Sequence, residues 1–239
     1  MALCRRMAVA EDSGRIAVLV PAYQAAATVG AVVAGSRAAL PGAIVYVIDD
    51  GSNDATGATA TAEGAVLIVH AHNRGKGAAL ADGIERALAD GAGTIATLDA
   101  DGQHPPDVLP RLLEPVRDGA ADVVLGARAR TGAMPFGRRC TNWLSATLAS
   151  RIGGQPVRDA QTGFRAFSRR VALTVGPLIA PYTRYEYEAA FLLAALRAGF
   201  SVQSIEIPTI YTGAPSHFRH WGDTWRLARV FGRYLLGAS

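Results

Sequence analysis

Asp99 and Asp101 stand one residue apart at the end of the apolar run Ile95-Ala96-Thr97-Leu98, and Gly102-Gln103-His104-Pro105-Pro106 follows them. In an extended segment, residues i and i+2 point to the same side, so both carboxylates face one place. Their mutual repulsion is relieved if a hard divalent cation with oxygen ligands sits there, holding a phosphorylated substrate. A plain strand-end turn also accommodates Asp and Gly. Gln103 and the helix start at Pro105-Pro106 make this one less ordinary.

Further clusters carry comparable chemistry. Asp49-Asp50-Gly51-Ser52-Asn53-Asp54 closes another apolar run. A carboxylate in that position can accept from a base or from ribose hydroxyls, while Asp-Gly-Ser is equally turn chemistry and Asp54 can cap a helix. Asn73-Arg74-Gly75-Lys76-Gly77 leads into a helical pattern, where the helix N-terminus and Lys76 supply positive potential for phosphate. It is not a Walker A loop, because Gly77-Ala78 follow Lys76, and it lacks the third glycine of a dinucleotide fingerprint. Gly126-Ala127-Arg128 ends a further run, and its arginine can make paired contacts with phosphate oxygens. Arg130, Arg138 and Arg139 extend a basic loop, of which Arg130 is better read as solvated. Glu186 and Glu188 bracket Tyr187 at a helix start, where acids are favourable by dipole alone or serve an acceptor sugar or a base role.

The elements that position these residues alternate regularly. Strands are expected at Ile16–Val20, Ile44–Ile48, Ala65–Val69, Ile95–Leu98 and Val123–Leu125, with helices near Thr28–Ala39, Asp54–Ala62, Gly77–Ala89 and Pro106–Arg117. That alternation means an α/β protein with a mostly parallel central sheet and helices on both faces. Such sheets bind ligands outside the carboxyl ends of their strands, which is where the polar clusters fall. The second half is less regular: a helix at Cys140–Ile152, the polar stretch Asp159–Arg165, a helix over Glu186–Ala198 and a strand at Val202–Glu206. No linker, repeat or low-complexity stretch divides the chain. One catalytic domain over residues 15–220 is expected, after a flexible tail at 1–14 and before an amphipathic helix at 221–239.

Composition narrows the class. Half of the 239 residues are hydrophobic and 18% are charged, as in a globular protein. The net charge of +4 suits an anionic substrate or membrane surface and is too small to imply nucleic acid. Two cysteines, Cys4 and Cys140, form no disulfide framework and no zinc spacing, which fits a reducing cytosol. Residues 16–36 carry no charge, yet Pro21, Gln24, Thr28, Gly30 and Gly35 break the run into strand, loop and helix rather than a membrane span. Glu11 and Asp12 just before it make a poor signal peptide. A cytoplasmic protein is expected. The stretch Ser216–Leu236, with Trp221, Trp225, Phe231 and Arg219, Arg226, Arg229, Arg233, either lies on the inner face of a membrane or packs its aromatics on the domain.

In order and spacing these motifs resemble glycosyltransferase family 2, in its dolichol-phosphate-mannose-synthase-like branch. The matching pieces are Val20-Pro21-Ala22-Tyr23, Asp49 to Asp54, Asn73 to Ala79, Asp99 to Pro106, Gly126-Ala127-Arg128, Asp159 to Arg165, Glu186-Tyr187-Glu188, Ile207-Pro208 and Ser216-His217-Phe218-Arg219, together covering about residues 15–220. The resemblance implies a Rossmann-like glycosyltransferase-A fold, a UDP- or GDP-linked sugar donor and Mg²⁺ or Mn²⁺. It assigns base recognition to Asp50, with Ala22 and Tyr23 lining that pocket, and places Asp99 beside the donor ribose and diphosphate; Pro21 and Lys76 join them in the nucleotide-sugar-binding set. Asp101 would ligate the metal, assisted by Gln103. Arg128 would hold phosphate, and Asp159 completes the catalytic set. Arg165, Glu186, Glu188 and His217 fall on the acceptor side. Gln24 stands where the family often has Asn, and His217 where it usually has Lys.

The acceptor implied by that branch is a polyprenyl phosphate, whose oxygen is already an anionic nucleophile, so that inverting attack needs no general base. The alternative is a hydroxyl acceptor on a lipid, pigment or polysaccharide, which does need one; Asp159, Glu186 and Glu188 are the candidates. A sugar-nucleotide pyrophosphorylase would want a glycine-rich basic loop after the first strand, which Pro21-Ala22-Tyr23 does not supply. Retention of Asp50, Asp99, Asp101 and Arg128 argues against an inactive binding module.

Overall fold

Runs of Val, Ile and Leu, buried on both sides, build the centre of the molecule. The computed structural model describes residues 14–128, 136–208 and 220–235. Strands β1 (Ile16–Ala22), β2 (Ile44–Asp49), β3 (Val66–Val69) and β4 (Thr94–Thr97) pair in parallel, with β1 between β2 and β4. Val18, Leu19 and Val20 are wholly buried, as parallel strands covered on both faces require. The crossovers are the helices α1 (Val29–Ala39), α2 (Thr56–Ala62) and α3 (Lys76–Ala89). A 3-10 turn at Pro106–Val108 and helix α4 (Leu109–Arg117) then lead to β5 (Val123–Arg128).

The second half completes the sheet in a way the hydrophobic pattern does not announce. After helix α5 (Phe136–Gly153), the four-residue strand β6 (Arg165–Ser168) inserts between β4 and β5 and runs antiparallel to both. Strand β7 (Val202–Ile207) pairs in parallel with β5 at the edge, giving the order β3-β2-β1-β4-β6-β5-β7. The sequence pattern assigns no element between the polar stretch Asp159–Arg165 and the helix over Glu186–Ala198. Arg and Ser at its ends hide β6, whose identity comes from ladders on both sides. Helix α6 (Arg169–Ile179) also goes beyond the expected elements; it starts at Ser168, whose hydroxyl accepts from Val171 N.

Two cores sandwich the sheet, one on each face. On one face, α7 (Tyr187–Arg197) is buried from Tyr187 to Leu196, with Phe191, Leu192 and Leu193 in the core, and it fills the space between α5, α6 and α8 (His220–Leu235). Helix α8 seats Val230 and Phe231 against that core, while Trp225 is 67% exposed on its outer side. Among the described residues no helix is long and apolar enough to cross a membrane. Residues 16–36 form β1, a loop and most of α1, as expected.

Candidate active site

The polar clusters meet at the carboxyl ends of β1, β2 and β4. Asp50 N donates to Ala22 O at 2.8 Å, and Gln24 N donates to the Ser52 hydroxyl at 2.9 Å, so the loops after β1 and β2 are laced together. Gln24 adopts φ +53, the only positive φ at a non-glycine among the described residues. Its amide is held by Asn53 Oδ1 at 2.6 Å. Pro21 is half-buried, Ala22 is buried and Tyr23 lies exposed at the rim.

Asp50 is turned inward. Its Oδ1 accepts from Arg74 N at 2.8 Å and lies 2.7 Å from His70 Nδ1, and its Oδ2 accepts from Gly75 N at 2.8 Å. The expected base-recognising acid is therefore first a brace for the loop that opens α3. Gly75 takes φ +102 there, which a side chain would resist.

That brace sets Lys76 in the middle of the site. Its ammonium lies 2.6 Å from Asp99 Oδ1 and 2.6 Å from Glu188 Oε1. Burial by itself would push Asp99 up, but the Lys76 charge beside it holds the carboxyl below its ordinary value. Burial would likewise lower Lys76, and the two acids raise it well above the usual lysine range. Glu188, expected on the acceptor side, is thus joined through one cation to Asp99, expected on the donor side.

Asp99 is also closely covered by β6's approach. A Cβ built on Gly163 would lie 2.6 Å from Asp99 Oδ1, and Thr97 Oγ1 donates to Gly163 O at 2.6 Å. Only glycine lets the chain pass so near the carboxylate.

Asp101 accepts from Gln103 N at 2.9 Å. Burial, and then the charge of Asp99, push its carboxyl up from the ordinary value. Among the described residues no three His, Cys, Asp or Glu side chains converge on a metal position. The residues that would hold a hard cation here are Asp101, with Gln103 beside it, and substrate phosphates would supply further oxygens. That is how Mg²⁺ is commonly bound, through one or two carboxylates plus substrate phosphates, and the residues fit it. His104, buried and stacked on Phe164 at a centroid distance of 5.3 Å, leaves Nδ1 without a hydrogen-bond partner among the described residues.

The remaining acids and arginines separate. Arg128 Nε donates to Asp159 Oδ2 at 2.9 Å, so these two expected catalytic residues form one ion pair, with Asp159 buried. Arg165 lies inside the core, and its guanidinium donates to the carbonyls of Thr162 and Glu188 and faces the Phe191 ring. Expected on the acceptor side, it instead holds helix α7 through the Glu188 carbonyl. Glu186, at the N-cap of α7, is 7% exposed, and its Oε2 has no hydrogen-bond partner among the described residues. His217 and Arg130 fall outside the described residues, as do residues 1–13 of the expected tail. His70 belongs to none of the motifs singled out from the sequence, and Gly163 was included only as part of the Asp159–Arg165 stretch, with no role of its own. The signal available for His70 was its place three residues before Asn73 at a strand end.

Comparison with known proteins places this geometry. The glycosyl transferase family 2 model matches residues 17–176. An uncharacterized protein of Methanocaldococcus jannaschii is 36% identical over 173 residues, covering 70% of each chain. Polyprenol monophosphomannose synthase of Mycolicibacterium smegmatis is 30% identical over 208 residues, covering 83% of this chain and 77% of that one. Among solved structures, M. tuberculosis glucosyl-3-phosphoglycerate synthase, bound to Mn²⁺, UDP and phosphoglyceric acid, aligns with a TM-score of 0.68 at 21% identity over 93% of this chain and 78% of that one. The fold is accordingly that of a glycosyltransferase-A enzyme. With the family model spanning β1 to α6, strand-end acids included, the chain belongs to glycosyl transferase family 2 and is a glycosyltransferase.

Proposed function

We propose that this protein transfers a glycosyl group from a nucleoside-diphosphate sugar, with Mg²⁺ or Mn²⁺, to a hydroxyl on a phosphate-bearing acceptor. The observation that carries the reading is Lys76 between Asp99 and Glu188. It puts the carboxylate at the donor end of β4 and the first turn of the acceptor-side helix within reach of one ammonium. UDP, Mn²⁺ and phosphoglyceric acid in the M. tuberculosis synthase support the donor, the cation and a phosphorylated acceptor. The bound cation would supply Lewis-acid stabilisation of the departing diphosphate. Asp101 and Gln103 would hold the cation, Lys76 would lie beside the diphosphate, and Arg128, paired with Asp159, would meet phosphate from the end of β5. The acceptor oxygen forms the new bond to the anomeric carbon from the face opposite the leaving group, the bond to diphosphate breaks, and the diphosphate departs with the electron pair.

A hydroxyl nucleophile must lose its proton, and Glu186 is the candidate base. Glu188 is neutralised by Lys76 and Asp159 by Arg128, whereas Glu186 Oε2 has no hydrogen-bond partner among the described residues. A second reading, transfer to a polyprenyl phosphate, is supported by the M. smegmatis relative's name and by the exposed Trp225 of α8, beside Arg226 and Arg229. On that reading α8 meets the lipid at a membrane surface, and no base is needed.

One experiment tests both. UDP- and GDP-sugars with Mn²⁺ are offered with phosphoglyceric acid or with polyprenyl phosphate in vesicles, and nucleotide release is followed. Transfer to the hydroxyl acceptor that is lost in Glu186→Gln supports the first reading. Transfer to polyprenyl phosphate that survives Glu186→Gln supports the second. Absence of metal-dependent release with every pair would overturn both.

A further inference from the structure

His70 ends the loop chain that holds Lys76, and no motif includes it. It follows β3, is 6% exposed, and links three elements. Its Nδ1 lies 2.7 Å from Asp50 Oδ1 beyond β2, and its Nε2 lies 2.9 Å from Asp82 Oδ2 on α3. The Arg74 guanidinium also reaches Asp82 and stands 3.4 Å from Nε2. Asp50 in turn accepts the backbone N–H groups of Arg74 and Gly75, directly before Lys76. An ionised carboxylate only accepts, so each of the two contacts requires a proton on the ring nitrogen that faces the carboxylate.

We propose that His70 is a positioning residue for the donor site, acting through Asp50. The inference rests on the nucleotide-sugar reading above. The Nδ1–H bond fixes the rotamer of Asp50, and Asp50 fixes the two amides that aim Lys76 at Asp99 and Glu188. Asp82 does not depend on His70 in the same way, because Arg74 compensates it from the same side. The two ring nitrogens therefore have unequal roles, and replacements that preserve one of them separate positioning from packing.

The amide of Asn places a donor near the position of Nδ1, and the amide of Gln places one near Nε2. UDP affinity in the presence of Mn²⁺ and donor KM and kcat are measured for the wild type, His70→Ala, His70→Asn and His70→Gln. Hydrogen exchange at the Arg74 and Gly75 amides, which needs no ligand, is followed in parallel. His70→Ala should weaken UDP binding and raise donor KM about tenfold, with a smaller change in kcat, the size expected for losing a hydrogen bond to a charged group. Exchange at both amides should quicken by at least about tenfold. His70→Asn should restore affinity and protection to within about threefold, and His70→Gln should not. Thermal unfolding of each variant shows that the fold persists. Rescue by Gln as good as rescue by Asn overturns the inference, as does unchanged amide protection in His70→Ala. If wild-type protein binds no UDP, the nucleotide-sugar reading fails, and amide exchange alone still decides the role of His70.

Discussion

The Lys76 ammonium lies 2.6 Å from Glu188 Oε1, tying the entry of α3 to the first turn of α7. Because the same nitrogen is 2.6 Å from Asp99 Oδ1, the two halves of the chain share a single cation at the strand ends. Neither acid can be considered without it.

Replacing Lys76 by Met keeps most of the side-chain stem and removes the charge. Two largely buried carboxylates then lose their common partner, which costs about 3 kcal/mol of stability when a buried pair is broken. Urea denaturation should show that loss, with Lys76→Arg falling between Met and the wild type. A change under about 0.5 kcal/mol, the scale of exposed pairs, would show that solvent already compensates the acids.

The pair also sets a pH window. Asp99 is held below its ordinary 3.8, so its stabilisation is complete above that value and is lost as pH falls through the lowered one. Lys76 is raised above 10.5, so its contribution is complete below that value and disappears as pH climbs past it. Stability measured by chemical denaturation should therefore drop on acidification below about pH 4. Lys76→Met should flatten that acid limb.

Asp101 behaves with the opposite sign. Its carboxyl is raised, so the folded state loses stability as pH rises through the raised value and the charge develops. In metal-free protein at pH 7, Asp101→Asn should unfold at a higher temperature than the wild type, while turnover falls at least about a hundredfold. A lower melting temperature for this variant would contradict the electrostatic account.

Cation binding should depend on the nucleotide. Among the described residues no third acidic or imidazole side chain joins Asp101, so diphosphate oxygens are expected to supply part of the coordination. Electron paramagnetic resonance should find Mn²⁺ bound weakly by the protein alone and at least about tenfold more tightly once UDP is present. Equal affinity with and without UDP would point to a preformed cage.

Gly163→Ala probes the closeness of β6 to the site. Its methyl group would meet Asp99 Oδ1 at 2.6 Å, so the carboxylate must move. A displacement approaching 1 Å costs about a hundredfold in rate. Steady-state kinetics should show that loss with little change in thermal stability, since the chain near Asp99 rather than the core yields.

Much of the framework was readable in advance because it rests on local pattern. Continuous apolar runs announced β1, β2, β4 and β5, and the polar clusters at their ends marked the ligand-binding edge. Strand β6 was not readable: Arg165-Ala166-Phe167-Ser168 is too short and too polar at its ends, and it becomes a strand only by pairing with β4 and β5 at once. Arg165 illustrates the same limit. Its type suggested a phosphate contact, but the antiparallel insertion carries it into the core, where carbonyls of Thr162 and Glu188 take its donors.

The sequence by itself determined the α/β alternation, the family and the set of charged groups available at one sheet edge, because side-chain periodicity and order along the chain suffice for these. Tertiary structure alone decided how the charges pair. Asp99 proved to share Lys76 with Glu188 from 89 positions further along, and Asp50 to brace Arg74 and Gly75 through contacts that include His70. Ion pairs form between whichever groups packing brings within a few ångströms, and sequence spacing carries no record of that distance.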